Sequence, residues 1–158
     1  MIRVMFVCHG NICRSPMAEM MMKELVRQEG LAGRIVIASA GTSDEEILNG
    51  IGNPVYPPAR AVLKQHGIPC EPHRAAQLRK SDYADYDLFI CMDSLNLRNI
   101  MRIFGGDPAG KVRSMLSFAG RDADVSDPWF SGRFDTAYAD IDEGCRALLQ
   151  YLKKEGLL

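Results

Sequence analysis

No stretch of this 158-residue chain stays apolar for long enough to cross a membrane. The N-terminal run Met1–Val7 is interrupted by Arg3 and is too short for a signal-peptide core. An excess of charge is also lacking. Nineteen Lys and Arg against twenty Asp and Glu leave a net charge of −1, so neither nucleic acid nor an anionic membrane is an expected partner. Any attraction for an anion must then come from a local site. The five cysteines, an odd number scattered from Cys8 to Cys145, are not the paired framework of a small secreted protein. They fit a reducing, cytoplasmic compartment. Structural zinc at Cys8, His9 and Cys13 is not expected either, since no second ligand pair stands at finger-like spacing. Repeats, heptads, low-complexity tracts and composition breaks are all missing, which leaves one domain over residues 1–158.

What the chain does have is an alternation of two kinds of apolar segment. Ile2–Val7, Ile35–Ala38 and Leu88–Met92 are short and nearly all apolar, as strands buried on both faces should be. A short final strand is placed at Val112. Met17–Gln28, Pro58–His66, the segment around Leu97–Phe104 and the long run from Phe134 to Leu152 carry apolar residues at helical spacing. Gly67 suits the end of the second helix. This alternation predicts an α/β fold, a parallel sheet with helices on both faces. Thr42–Pro58 and Leu116–Arg133 are rich in Gly, Pro, Ser, Asn and Asp and read as long loops. The methionines Met20–Met22 read as a mixture of core and surface.

The first strand runs straight into Cys8-His9-Gly10-Asn11-Ile12-Cys13-Arg14-Ser15-Pro16, with a helix beyond it. In open α/β sheets, ligands bind past the carboxyl ends of strands, so this loop stands where a site is expected. Ser15 suits an N-cap and Pro16 the first helical position. Gly10 and Asn11 tolerate positive φ, which turns successive amides inward as an anion nest at a helix N-terminus. That same field stabilises a thiolate on Cys8, and Arg14 adds a planar fork for two oxygens of a tetrahedral anion. Taken alone, each residue has a simpler explanation. A single cysteine at a strand end is usually a small buried hydrophobe, and a single arginine a solvated charge. Together, between a strand and a helix, they make a nucleophile inside an anion cradle.

The segment CHGNICRSPMAE, with Ser39-Ala40-Gly41-Thr42, His66-Gly67-Ile68, Cys91-Met92-Asp93 and Asp127-Pro128 before two aromatics, resembles the low-molecular-weight protein tyrosine phosphatases over nearly the whole chain. The resemblance implies a four-stranded parallel sheet with a phosphate loop (residues 9–15) after the first strand. It also implies hydrolysis of phosphotyrosine or small aryl phosphates through a phosphocysteine on Cys8, without metal or other cofactor. Arg14 matches the phosphate-binding arginine and Asp127 the general acid. Asn11, Ser15, Ser39 and His66 match positions that brace the loop. Inorganic phosphate or another oxyanion should occupy the same cradle. Cys13 matches a partner for a reversible disulfide with Cys8.

The pocket mouth is matched by His9, Ile12, Glu45, Trp129 and Phe130. His9 stands where the family often has an apolar residue, and Glu45 where many members carry an aromatic. Both make the mouth more polar. Ile12 favours an aryl phosphate, since the arginine-phosphatase branch carries threonine there. Trp129 and Phe130 replace tyrosines that are often phosphorylated in the family, so that control is expected to be absent. The stretch Glu46–Pro57 is longer than in the shortest members. Cys70, Cys91 and Cys145 are expected to be buried. Two rival readings use the same loop. An arsenate reductase would need a redox cysteine seven positions after Cys91, where Arg98 stands. A phosphocysteine carrier would have no use for Asp127.

Overall fold

The computed structural model describes residues 1–158. Strand β1 (Ile2–Cys8) lies at the centre of a sheet in the order β2-β1-β5-β6, where β2 is Ile35–Gly41, β5 is Leu88–Cys91 and β6 is Val112–Ser114. All three pairings are parallel. The sheet is buried on both sides, which is why its strands carry so few polar residues. Val4 and Phe6 point toward one core with α1 (Arg14–Gln28) and α6 (Phe134–Lys154). Met5 and Val7 point toward another, with Phe89 and with Ile100 and Phe104 of α4 (Ser94–Phe104). The four-stranded parallel sheet and its two helical layers are as the sequence implied. No helix is long and apolar enough to cross a membrane.

The topology fixes the position of the site. From β1 the chain moves to β2 on one side, then crosses to β5 on the other, so the carboxyl end of β1 faces a switch in strand order. Cys8 ends β1 opposite Gly41, and Val7 pairs with Cys91. The ends of three strands therefore converge beside the loop that follows Cys8. Gly41 is required there, because a Cβ would come within 2.7 Å of the His9 carbonyl.

Several local expectations are corrected. Thr42–Pro58 is not loop throughout: β3 (Ile47–Leu48) and β4 (Ile51–Gly52) form a hairpin. Its turn is Asn49-Gly50, with φ of 53° and 76°. Both signs are those of a type I′ turn, for which Asn-Gly is the favoured pair. Helix α2 spans Pro57–Gln65, close to its expected limits, and a short α3 (Asp82–Asp85) precedes β5. Within the second expected loop lie a 3₁₀ turn (Met115–Ala119) and α5 (Pro128–Ser131). Ser15 does not cap α1, which starts at Arg14 after Cys13, and Pro16 sits inside its first turn. All of Met20, Met21 and Met22 are buried, because α1 is enclosed by the sheet, α2 and α6. Cys91 and Cys145 are buried as expected, whereas Cys70 is only partly so.

Candidate active site

The loop from His9 to Cys13 is held from outside through its carbonyls. Thr42 N–H donates to the Cys8 carbonyl (2.9 Å), Ser43 to His9 (3.0 Å), Tyr56 to Ile12 (2.8 Å) and Met17 to Cys13 (3.0 Å). None of the amides from His9 to Cys13 donates to an acceptor of the protein. With the carbonyls engaged outward, these donors form a cradle at the N-terminus of α1, where the helix dipole also favours negative charge. Asn11 supplies the left-handed bend, at φ 61°. Gly10, also expected there, keeps negative φ.

Asn11 is fully buried and organises the rear of the loop. Its Oδ1 accepts from Ala76 N–H (3.0 Å), while its Nδ2 donates to Ser15 Oγ (2.8 Å) and Ser39 Oγ (3.0 Å). Ser39 Oγ in turn donates a hydrogen bond to Glu19 Oε1 (2.6 Å), and Glu19 is paired with Lys23. Ser15 Oγ lies 2.9 Å from Cys8 Sγ and 3.5 Å from the Ala40 carbonyl. Since Asn11 already donates to Ser15, the hydroxyl proton is free for the sulfur, the nearer of the two. Cys8 itself is almost completely buried at the base of this arrangement.

Arg14 is also buried, and its charge is balanced from two distant loops. Nη1 donates to Asp93 Oδ2 and to the Val125 carbonyl, both at 2.8 Å, and Nη2 lies 3.5 Å from Asp127 Oδ2. Asp93 at the same time caps α4, accepting from Asn96 N–H at 2.7 Å. Asp127 opens α5 with its Oδ1 accepting from Trp129 N–H at 3.0 Å. It is thus both a turn-opening residue and a carboxylate facing Arg14.

Cys8, His9, Gly10, Ile12, Cys13 and Arg14 line a cleft of about 300 Å³. Glu45, Glu46, Asp127, Trp129 and Phe130 complete its walls. His9 Nε2 and Glu45 Oε2 meet at 3.0 Å at the mouth. Trp129 is 52% exposed and leans on Tyr56, at 4.8 Å between ring centroids. Phe130 is 86% exposed, an unusual position for such a ring and one open to contact with a ligand. Burial and the neighbouring charges of Cys8 and Asp127 push the Cys13 thiol up to about 12. Cys91 is pushed up to about 11, mainly by burial.

One expected brace is misplaced. His66 caps the end of α2 and stacks on Tyr138 of α6, with ring centroids 3.8 Å apart, and makes no side-chain hydrogen bond to the loop. The histidine that holds the loop is His73, whose Nε2 donates to the Asn11 carbonyl at 2.9 Å. Sequence reasoning missed it because it lies in an irregular segment with no periodic pattern. Asp93 and Glu19 were missed as well. For Asp93 a signal existed, an Asp three residues before Asn96 at the end of a buried strand. No group of three or more His, Cys, Asp or Glu side chains is placed to hold a metal ion.

A strand–loop–helix cradle with a buried cysteine and arginine, at the switch point of a parallel sheet, is a site shaped for a tetrahedral oxyanion. The family model for low molecular weight phosphotyrosine protein phosphatases matches residues 3–157. The chain belongs to that family and is an enzyme of the protein-tyrosine-phosphatase class. It is 36% identical to the low molecular weight protein-tyrosine-phosphatase YfkJ of Bacillus subtilis over 157 residues, 98% of each chain. The crystal structure of YfkJ matches with a TM-score of 0.92, covering 98% of this chain and 96% of that one. The human low molecular weight phosphotyrosine protein phosphatase is 34% identical over 154 residues, 93% of each chain. The arginine phosphatase YwlE, as a cysteine-to-serine mutant with a phosphorylated active-site serine, matches with a TM-score of 0.81 and 29% identity over 97% of both chains.

Proposed function

We propose that the enzyme hydrolyses phosphotyrosine and small aryl phosphates through a phosphocysteine on Cys8. The observation that carries this reading is that Cys8 and Arg14 of the loop after β1 and Asp127, more than a hundred residues further along the chain, line one cleft of about 300 Å³. The phosphoryl group enters the cradle with its three equatorial oxygens facing the loop amides and the Nε and Nη2 edge of Arg14, since Nη1 is engaged by Asp93 and Val125. The Cys8 thiolate attacks phosphorus, the S–P bond forms and the P–O bond to the phenol breaks. Asp127, in its acid form, gives its proton to the departing phenolic oxygen. In the second step Asp127 takes a proton from water, whose oxygen attacks phosphorus. The S–P bond breaks, and the Ser15 hydroxyl, 2.9 Å from Sγ, stabilises the returning thiolate.

An aryl leaving group is favoured by the apolar Ile12 wall and by the Trp129 and Phe130 rings at the mouth, against which a phenol ring can stack. A phosphoarginine substrate is the second reading. It is supported by the carboxylates of Glu45, Glu46 and Asp127 around the same cleft, which suit a guanidinium. An arsenate reductase relay finds no support, because Cys91 is fully buried and Arg98 stands at the second redox position. Cys13 lines the same cleft as Cys8 and stays a protonated thiol, which fits a reserve partner for an oxidised Cys8.

The test is the variant Cys8→Ser, assayed with phosphotyrosine and phosphoarginine. Turnover of both should vanish while vanadate or phosphate still binds, because the cradle and Arg14 remain. In the unaltered enzyme, phosphotyrosine should be the better substrate. Substantial turnover by Cys8→Ser would disprove the covalent route, and a preference for phosphoarginine would favour the second reading.

A further inference from the structure

Beside the catalytic cleft lies a larger depression of about 530 Å³ that the proposed chemistry does not use. The two share Ile12, Glu46 and Trp129 as a common rim, so a chain leaving one enters the other. The floor begins at Asn53–Pro57, and the far wall is α2, which presents Arg60 and Lys64. Four residues apart, these two cations stand on one helix face. Both are exposed, and neither has a carboxylate within salt-bridge distance. Other exposed cations, Arg34, Arg98 and Arg102 among them, also lack an acidic partner, so what singles out Arg60 and Lys64 is their place together on the wall of a depression continuous with the cleft. A further depression shares Arg60 and Lys64 and runs on past the end of α2 to Gly67–Cys70. The two cations therefore sit midway along a track that starts at the active-site mouth and follows α2. Glu46 is the one acid lining it, at the catalytic end, and its carboxylate is held by Asn53 Nδ2 at 2.9 Å.

We infer that this track holds the polypeptide flanking the phosphorylated residue, and that Arg60 and Lys64 select substrates with acidic side chains on that flank. The inference rests on the phosphotyrosine reading of the cleft. Continuity with the cleft argues for a segment attached to the phosphoryl group, and the unpaired cations argue for its charge. The spacing fits as well. Four residues of helix rise about 6 Å, and alternate side chains of an extended strand are about 6.6 Å apart on one face. Two acidic residues separated by one position would thus meet Lys64 and Arg60 together. Glu46, by contrast, disfavours an acid immediately beside the phosphotyrosine.

The experiment compares kcat/KM for phosphotyrosine peptides carrying Glu-x-Glu on the N-terminal flank, on the C-terminal flank, or alanines in those places, with a small aryl phosphate as reference. The unaltered enzyme should prefer one acidic peptide over its alanine counterpart by roughly three- to tenfold, the size expected of two exposed charge pairs. The preference should shrink between about 20 mM and about 300 mM salt. The double variant Arg60→Glu/Lys64→Glu should reverse it and Arg60→Gln/Lys64→Gln should abolish it. In both variants, aryl phosphate turnover should stay within about twofold, because neither residue belongs to the catalytic cleft. Normal phosphotyrosine hydrolysis with no acidic preference, or with one the variants leave unchanged, overturns the inference alone. Failure of the unaltered enzyme to hydrolyse either phosphotyrosine peptides or aryl phosphate overturns the reading of the cleft, and the inference with it.

Discussion

Asn11 was legible as a bend residue because few side chains tolerate positive φ, and its type alone pointed to the turn. Its other task was hidden. That one amide joins Ala76, Ser15 and Ser39 depends on which strands lie side by side, and no spacing along the chain reports that. The same limit explains the exchange of histidines. His66 and His73 are seven residues apart, and only the packing of α2 on α6 decides that the first meets Tyr138 and the second the Asn11 carbonyl. The two therefore separate experimentally. His73→Ala removes a donor from the loop and should lower kcat by roughly tenfold and weaken vanadate binding, an effect of misplacement rather than of lost chemistry. His73→Gln, which can donate to the same carbonyl, should recover much of the loss. His66→Ala should leave kcat/KM within about twofold and cost about 1 kcal/mol of stability from the lost stacking. Steady-state kinetics and urea unfolding on the three variants check this, and an activity loss at His66 without one at His73 would contradict it.

At the level of elements, the strands and long helices were readable because burial imposes a period, continuous for a strand inside a parallel sheet and near 3.6 for a helix. The β3–β4 hairpin escaped because it has two residues on each side, too few for a pattern, although Asn49-Gly50 carried its turn signal. The start of α1 was also misread. Ser15 looks like a cap, but its hydroxyl is engaged by Cys8 and Asn11, and the helix begins two residues earlier than expected, at Arg14. Helix α4 shows an element end serving two purposes, since Asp93 both caps it and balances Arg14. These roles can be divided. Asp93→Asn keeps a good cap and loses the charge, whereas Asp93→Ala loses both. The two variants should differ by about 1 kcal/mol in unfolding free energy, while their turnover falls to a similar degree because Arg14 loses the same partner. Chemical denaturation and single-turnover kinetics distinguish them. Equal stability with unequal turnover would mean that the charge of Asp93 is irrelevant to Arg14.

For the molecule as a whole, the parallel sheet and its switch point bring Asp127 to the loop that carries Cys8 and Arg14, and that meeting follows from topology rather than from the loop motif alone. Folding also buries titratable thiols. Cys13 and Cys91 are raised to about 12 and about 11, and Cys145 is raised further by complete burial, from an ordinary 9.0. Above about pH 9 the unfolded chain releases these protons while the folded one retains them. Fewer protons are then bound in the unfolded state, and stability falls as pH rises. Tyr83 and Tyr138, also raised by burial, act in the same direction. Urea midpoints under reducing conditions should hold steady to about pH 9 and decline from there to about pH 11, and Cys145→Ala should soften the decline. A flat profile would show that the thiols do not retain their protons. The central claim concerns Asp127 and is tested most directly by burst kinetics on Asp127→Asn with aryl phosphates of graded leaving-group acidity. The phosphorylation step should slow by about 10²–10⁴-fold for phosphotyrosine and phenyl phosphate, and far less for an acidic phenol that leaves without a proton. A uniform loss across the series would contradict proton transfer by Asp127 and leave it only the cap of α5.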